Sequence, residues 1–113
     1  MPGRYVPDAG DIVWMDFTPQ SGHEQAGRRP AVVLSPKPYN SKAGLLVCVP
    51  VTHQVKGYPF EVGLSGPAAT GAALADQVKS LDWRSRAAER KGKATPAEMA
   101  QIKAKIRTLF SLA

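Results

Sequence analysis

The strongest candidates for chemistry are two adjacent arginines in the stretch EQAGRRPAVVLSP. Arginine stays charged at any working pH, and its planar guanidinium can bind a phosphate group with two hydrogen bonds. Pro30 disfavours helical backbone at the preceding residue, so we predict an extended segment with Arg28 and Arg29 on opposite faces. At most one of the two can face a given cleft, where it would stabilise charge developing on a phosphoryl group. The alternative is a pair of surface arginines at a strand edge.

A second candidate position lies in VPVTHQVKGYP, where an apolar strand gives way to a polar loop. Thr52 and His53 stand at this junction, and loops held by a rigid scaffold often carry functional residues. A regular strand would place the two side chains on opposite faces, so both could line one pocket only if the strand breaks at Thr52. The alternative for Thr52 is a structural role as a hydrogen-bonding residue at the strand end.

Groups for acid–base chemistry are few, since His23 and His53 are the only histidines. Cleavage of RNA by its own 2′-hydroxyl needs a proton acceptor at that hydroxyl and a donor at the leaving oxygen, and two histidines could fill these roles near neutral pH. The two lie far apart in the chain, and no motif surrounds either. Glu24, in the long polar stretch 18–28, is an alternative base, or a solvated carboxylate.

Basic, amide and aromatic side chains interleave at predicted strand ends and loops. Unpaired bases stack on aromatic rings, while lysine and arginine follow the phosphate backbone. Trp14 and Phe60 are instead predicted to lie in the core. The candidates of this kind are Phe17, Gln54, Lys56, Gln77, Lys79, Trp83, Arg84 and Arg86.

The elements that must position these residues begin with DIVWMDF at 11–17, which has apolar residues on both faces and predicts a strand buried on both sides. AVVLS at 31–35 and LLVCVPVT at 45–52 predict the next two strands. Between them, the prolines, asparagine and glycine of PKPYNSKAG predict a turn.

Further strands are predicted in YPFEVGL at 58–64, with its proline at an edge or bulge, and in GAALADQVKSLDW at 71–83, which has room for one or two. The last segment predicts a helix. Thr95 can cap it, Pro96 suits its first position, and Glu98 completes a capping box.

A single apolar stripe follows along the predicted helix, at Met99, Ile102, Ile106 and Leu109. Five to seven short strands followed by one amphipathic helix predict a mainly β fold, a small, strongly bent barrel with a helix packed against it. We predict one domain spanning 1–113, since no repeat or linker divides the chain.

Charge and cysteine content narrow the function classes. The net charge is +6, with +1 in residues 1–55 and +5 in residues 56–113, which favours an anionic partner such as nucleic acid or an acidic protein segment. The lone Cys48 is predicted to be a small core residue, so no disulfide or paired-cysteine metal site is expected. Neither a signal peptide nor a membrane span is predicted, and a cytoplasmic protein without a metal is the expectation.

The stretches together resemble the MazF/PemK family of toxin endoribonucleases from bacterial toxin–antitoxin pairs, and the MazF branch in particular. The resemblance runs from about Arg4 to about Leu109. The matching stretches are RYVPDAGDIVWMDF, EQAGRRPAVVLSP, YN, VCVPVT, KGYPFEV, ALADQVKSLDWR and IKAKI.

This resemblance implies a homodimer of SH3-like barrels, of the PemK/CcdB type, that cuts single-stranded RNA such as mRNA at a short sequence without metal or cofactor. It implies Arg29, Thr52 and Glu24 as catalytic residues, and it matches neither His23 nor His53 to a functional position. It also implies an acidic, MazE-like antitoxin whose tail covers the RNA groove, and no membrane partner.

The chemistry and the resemblance together imply a set of RNA-binding residues. They are Phe17, Gln20, Gln54, Lys56, Asp76, Gln77, Lys79, Trp83 and Arg86. Two other functions stay open at this point: a CcdB-like toxin that targets gyrase, and an RNA-binding barrel without catalysis. An ACA-containing cleavage site is the expectation from the MazF branch.

Overall fold

A computed structural model of the chain describes residues 5–17 and 27–111. Gln20, His23 and Glu24, three of the predicted functional residues, lie outside the described residues. The described part forms seven strands and two helices. In chain order these are β1 Asp11–Phe17, β2 Gly27–Val33, α1 Lys37–Ala43, β3 Leu45–Thr52, β4 Glu61–Leu64, β5 Gly71–Leu74, β6 Lys79–Asp82, β7 Glu89–Lys93 and α2 Pro96–Ser111.

The strands form one antiparallel, curled sheet in the order β4-β5-β3-β2-β1-β7, with β6 also paired to β3. Strand β3 is the centre of this arrangement. It pairs with β6 over Leu45 to Cys48, with β2 from Cys48 to Pro50, and with β5 at Val51 and Thr52. Because β3 changes partner along its length, the sheet must bend there. The predicted mainly β fold is confirmed.

Strand β1 is buried on both faces, as its sequence predicts. Ile12 belongs to an apolar cluster with Val49 and Ile102, on the side of the sheet that α2 covers. Val13 and Met15 belong to a second cluster on the other face, together with Cys48. Successive strand residues point to opposite faces, so the two clusters follow from the alternation in DIVWMDF.

Helix α2 begins with the predicted capping box. The Thr95 amide donates to Glu98 Oε1 at 2.9 Å, and the Glu98 amide donates to Thr95 Oγ1 at 3.1 Å. Glu98 also accepts hydrogen bonds from Ser65, in the loop after β4. Burial alone would raise the pKa of Glu98, but the hydrogen bonds from Thr95 and Ser65 outweigh burial and hold that pKa below its usual value. Glu98 therefore ties the start of α2 to the β4–β5 hairpin.

The segment predicted as a turn, PKPYNSKAG, contains the short helix α1, so that prediction is wrong. Proline at the first helical positions and glycine just past the last are also the signals of helix ends. Gly44 adopts a φ of 72°, and its amide donates to the Asn40 carbonyl. Proline and glycine therefore mark the two ends of a helix here.

Strand boundaries also differ from the predictions. Strand β2 begins at Gly27 and includes both arginines, whereas β4 begins at Glu61 and leaves Pro59 outside the sheet. Strand β7, with the sequence ERKGK, was not predicted because it has no apolar alternation. It is held by pairing with β1 and by ion pairs from Arg90 and Lys93 to Asp11 at 3.5 and 3.4 Å.

The described residues include no helix that is both long and apolar enough to cross a membrane.

Candidate active site

The two adjacent arginines lie on opposite faces of β2, as the sequence predicts. Arg28 is opposite Asp16 and Arg29 is opposite Met15 in the β1–β2 ladder. Cross-strand partners share a face of the sheet. Arg29 therefore lies on the face of the Met15 and Cys48 cluster, and Arg28 lies on the other face.

Arg28 is occupied by contacts within the protein. Its Nη1 donates to Asp16 Oδ1 at 3.2 Å, and its Nη2 donates to the carbonyls of Trp14 at 3.1 Å and Ala87 at 2.7 Å. A further ion pair reaches Glu89 at 3.4 Å. These contacts connect β1, β2 and the entry to β7, so Arg28 is a structural residue.

Arg29 and Thr52 lie at the same end of the β2–β3 pair. Ala31 pairs with Pro50 at the end of the ladder, and Arg29 and Thr52 each lie two residues beyond that pair in their own strands. Both side chains are half-buried. A half-buried guanidinium on a paired strand has few accessible orientations, which suits a group that must meet a phosphate in one geometry. We call this place the Arg29–Thr52 edge.

The chain turns out of the sheet immediately after Thr52. Thr52 Oγ1 accepts a hydrogen bond from the Gln54 amide at 3.1 Å, and His53 is exposed outside the strand. The structural role that the sequence allowed for Thr52 is therefore present. A hydroxyl that accepts one hydrogen bond can still donate its own proton, so Thr52 can also bind a phosphate oxygen.

A groove of about 230 Å³ opens beside Thr52. Five residues predicted from the sequence converge on it from two separate segments of the chain, 52–56 and 76–77. The predicted residues that line the groove are Thr52, Gln54, Lys56, Asp76 and Gln77. Amide, carboxylate and ammonium groups in one groove can recognise the edges of an unpaired base and its phosphate.

Tyr58, Glu61 and Leu74 complete the lining of the groove, and the sequence analysis did not select them. Tyr58 is 60% exposed, and the Lys56 ammonium lies 6.0 Å from its ring centroid. The Glu61 carboxylate accepts from the amides of Lys56 and Gly57 and so holds the loop in place. The alternation of Lys and Tyr in VKGYPF was the signal that could have identified Tyr58 as a stacking surface.

Lys79 and Arg86 lie on the same side of the sheet as Arg29. Lys79 pairs with Cys48 in the β3–β6 ladder. Burial raises the pKa of the Cys48 thiol to about 12, against the opposing charges of Lys79 and Arg86 nearby. Arg86 Nη1 donates to the Asp16 carbonyl at 3.0 Å. Lys79 and Arg86 therefore both lie near Cys48 of the second apolar cluster.

Phe17 and Trp83, both predicted to contact RNA, have little exposed surface. Both rings are buried in the apolar cluster below the sheet, at 9% and 5% exposure. Trp83 Nε1 donates to the Asn40 carbonyl at 2.9 Å, and the Arg84 guanidinium lies 4.8 Å from its ring centroid. Little of either ring is therefore exposed for stacking on a base. Trp14, predicted to be core, is only half-buried and lines a separate groove with Arg28.

Across residues 5–17 and 27–111, no group of three or more His, Cys, Asp or Glu side chains is arranged to hold a metal ion.

A curled antiparallel sheet followed by one C-terminal helix defines the fold class, and comparison with known proteins identifies the family. A family model described as "PemK-like, MazF-like toxin of type II toxin-antitoxin system" matches residues 8–110. The chain belongs to this family.

Two relatives show the extent of the similarity. The chain is 62% identical over 110 residues to the endoribonuclease toxin MazF of Escherichia coli (strain K12), a match that covers 97% of this chain and 99% of the relative. It is 37% identical over 103 residues to endoribonuclease MazF9 of Mycobacterium tuberculosis (strain ATCC 25618 / H37Rv), covering 82% and 86% of the two chains.

Solved structures agree with the fold. MazF (Form-I) from Deinococcus radiodurans superposes with a TM-score of 0.89 at 52% identity, covering 96% of this chain and 100% of that one. The MazE–MazF structure (Form-II) from the same organism gives a TM-score of 0.88 at 51% identity, covering 97% and 100%. The family resemblance noted in the sequence is confirmed.

Proposed function

We propose that this chain is a metal-independent endoribonuclease toxin that cuts single-stranded RNA at a short specific sequence. Its endoribonuclease class follows from family membership and from 62% identity to an E. coli endoribonuclease over nearly the whole chain. The observation that carries the finer proposal is the Arg29–Thr52 edge, which lies at one end of the β2–β3 pair and borders a groove lined by polar and charged side chains.

In the proposed reaction, the substrate's own 2′-hydroxyl attacks the adjacent phosphorus. A bond forms between O2′ and phosphorus, and the bond from phosphorus to O5′ breaks. The products are a 2′,3′-cyclic phosphate and a 5′-hydroxyl. The proton of the 2′-hydroxyl passes to a base, for which Glu24 is the candidate, and a proton is delivered to the leaving O5′.

Arg29 and Thr52 have separate roles in this reaction. Negative charge builds on the phosphoryl oxygens in the transition state, and a guanidinium already in place stabilises that charge without reorganisation. Arg29 supplies this group and can deliver the proton to the leaving oxygen. The Thr52 hydroxyl donates to a phosphoryl oxygen or polarises the 2′-hydroxyl.

The groove beside Thr52 would hold the nucleotides next to the cut. Lys56 would contact a phosphate, and Gln54, Asp76 and Gln77 would recognise base edges. The exposed Tyr58 ring offers a stacking surface. An ACA-containing site is the proposed target, and sequencing the 5′ ends of cleaved transcripts would test it.

We extend the proposal to two partners. The +5 charge of residues 56–113 favours an acidic antitoxin segment, and one similar D. radiodurans structure is described as MazE–MazF. A homodimer in the cytoplasm is the proposed working form. Light scattering of the purified protein, alone and with an acidic antitoxin peptide, would test both associations.

The mechanism is tested with an RNA oligonucleotide that contains ACA, digested in EDTA beside the same oligonucleotide with a 2′-O-methyl group at the cut. We expect cleavage of the first, leaving a 2′,3′-cyclic phosphate end in mass spectra, and no cleavage of the second. Cleavage of the methylated RNA, or loss of activity with the chelator, contradicts the mechanism. Inhibition of supercoiled-DNA relaxation with RNA left intact would instead identify a gyrase-targeting toxin.

A further inference from the structure

Gly71, the first residue of β5, lies against the backbone of Thr52. It adopts a φ of +113°, and a Cβ atom built on it would lie 2.0 Å from the Thr52 carbonyl oxygen and 3.2 Å from His53 Cα. Real Cβ atoms essentially never come within 3.0 Å of another heavy atom. Strand β5 can therefore approach the end of β3 this closely only because residue 71 has no side chain.

The β4–β5 hairpin that carries Gly71 has little freedom to move away. Gly71 pairs with Leu64 of β4. Ser65, which follows Leu64, donates from its amide and its hydroxyl to Glu98 Oε2 at 2.8 and 2.9 Å. Val62 and Ala73 of the hairpin are buried in the cluster that α2 covers. The hairpin is thus anchored to the helix and to the core.

On the other side of the contact, Thr52 pairs with Ala72 but nothing after it continues the strand. Thr52 is the last residue of β3, and residues 53–59 after it are all exposed. A side chain at position 71 would need about 1 Å more room, and the end of β3 is the part that can give way. Such a shift would move the Thr52 hydroxyl relative to Arg29.

We propose that Gly71 is a positioning residue for catalysis, whose missing side chain lets the hairpin act as a rigid support behind Thr52. Gly71 touches no substrate and acts only through Thr52, so this inference rests on the proposed function. Displacing a catalytic group by about 1 Å can cost on the order of 100-fold in rate. The effect belongs in kcat, because the other predicted groove residues, Gln54, Lys56, Asp76 and Gln77, would still hold the RNA while Thr52 is displaced.

The variant Gly71→Ala tests this role by steady-state cleavage of the ACA oligonucleotide. We expect kcat to fall about 10- to 100-fold, with KM and the affinity for a non-cleavable 2′-deoxy oligonucleotide close to those of the parent. Circular dichroism and thermal unfolding establish that the variant is folded at the assay temperature. An unchanged kcat in the folded variant overturns the proposal.

Two other glycines supply matched controls. A Cβ at Gly92 would lie 2.5 Å from the Ala68 side chain, so Gly92→Ala adds a steric clash, milder than that at Gly71, away from Thr52. A Cβ at Gly63, in the same hairpin, meets nothing within 4 Å. We expect both variants to keep the parent's kcat. A fall in Gly92→Ala as large as that in Gly71→Ala would mean that general strain, rather than Thr52, is responsible.

A double mutant separates positioning from stability. If Gly71 acts through the Thr52 hydroxyl, then adding Gly71→Ala to Thr52→Ala should lower kcat by less than about threefold, because coupled sites are not additive. If Gly71→Ala lowers kcat as much in the Thr52→Ala background as it does in the parent, the inference is contradicted. If Thr52→Ala alone cleaves at the parent's rate, the proposed function fails in its assignment of Thr52. If Thr52→Ala is slow while Gly71→Ala is fast, only the role of Gly71 fails.

A second variant covers the case in which Gly71→Ala does not fold. Thr70 is exposed and directly precedes the contact. Thr70→Gly adds no atom there but loosens the backbone that enters β5. We expect a fall in kcat of about three- to tenfold with KM unchanged, since looser support costs less than a displaced hydroxyl. If Thr70→Gly has the same kcat as the parent, the proposal is overturned in that case.

Discussion

Arg28 and Arg29 have the same chemistry and adjacent positions, but the two faces of β2 give them different surroundings. Arg28 is bound by two carboxylates and two backbone carbonyls. Arg29 lies half-buried on the opposite face, at the end of the sheet that Thr52 shares. A guanidinium whose donors are satisfied within the fold stabilises structure. A guanidinium on the opposite face of the same strand remains the candidate for binding a phosphate.

The largest effect in this comparison is expected for Arg29→Ala. Removing a preorganised charge that stabilises the transition state costs about 100- to 1,000-fold in kcat, or about 2.7–4 kcal/mol. The unfolding temperature should stay close to that of the parent. Arg29→Lys keeps the positive charge but lacks the planar guanidinium that makes two hydrogen bonds to a phosphate. Its kcat should therefore lie between that of the parent and that of Arg29→Ala. Quench-flow or gel assays with the ACA oligonucleotide measure kcat for each variant. Full activity in Arg29→Ala would show that Arg29 is not part of the active site.

Arg28→Ala should give the opposite result. Its two ion pairs are partly exposed and are worth little, while its hydrogen bonds to backbone carbonyls contribute more, so we expect a loss of about 1–2 kcal/mol in the free energy of unfolding. The kcat should stay within about threefold of the parent at a temperature where the variant is folded, since Arg28 points away from the edge. Chemical denaturation and the same cleavage assay give both values. A large fall in kcat with unchanged stability would reverse the roles of the two arginines.

The smallest effect is expected for His53→Ala. His53 follows Thr52 but is exposed outside the strand, and the sequence alone left it open as an acid–base residue. Because Arg29 and Thr52 carry the proposed chemistry, kcat and its pH profile should change by less than about twofold, a change no larger than that of a typical exposed substitution. A loss as large as that of Arg29→Ala, with a titration step near neutral pH removed, would favour the histidine mechanism.

Local patterns determined much of the fold. The two-sided apolar strand β1, the strand β3 and the capped helix α2 were predicted from residues close together in the chain, and the structure contains all three. The capping box of Thr95 and Glu98 needs only a spacing of three residues. The opposite orientation of Arg28 and Arg29 likewise follows from strand alternation.

Other features depended on contacts between distant segments. Proline and glycine in PKPYNSKAG are compatible with either a turn or a helix. In the helix that forms, the buried Asn40 side chain donates to the carbonyls of Pro7 and Ser35. Strand β7 exists because β1 offers it a pairing edge. The burial of Phe17 and Trp83 depends on how the sheet curls over them.

The sequence by itself therefore determined which residues are candidates for phosphate chemistry and on which face of a strand each lies, because residue type and strand period are local properties. Only the tertiary structure decided that Arg29 and Thr52 share one end of the β2–β3 pair, and that Gly71 lies against the Thr52 backbone. Strand register and the bend in β3 bring together residues far apart in the chain. The physical reason is that such approaches depend on the packing of the whole sheet, which no local pattern specifies.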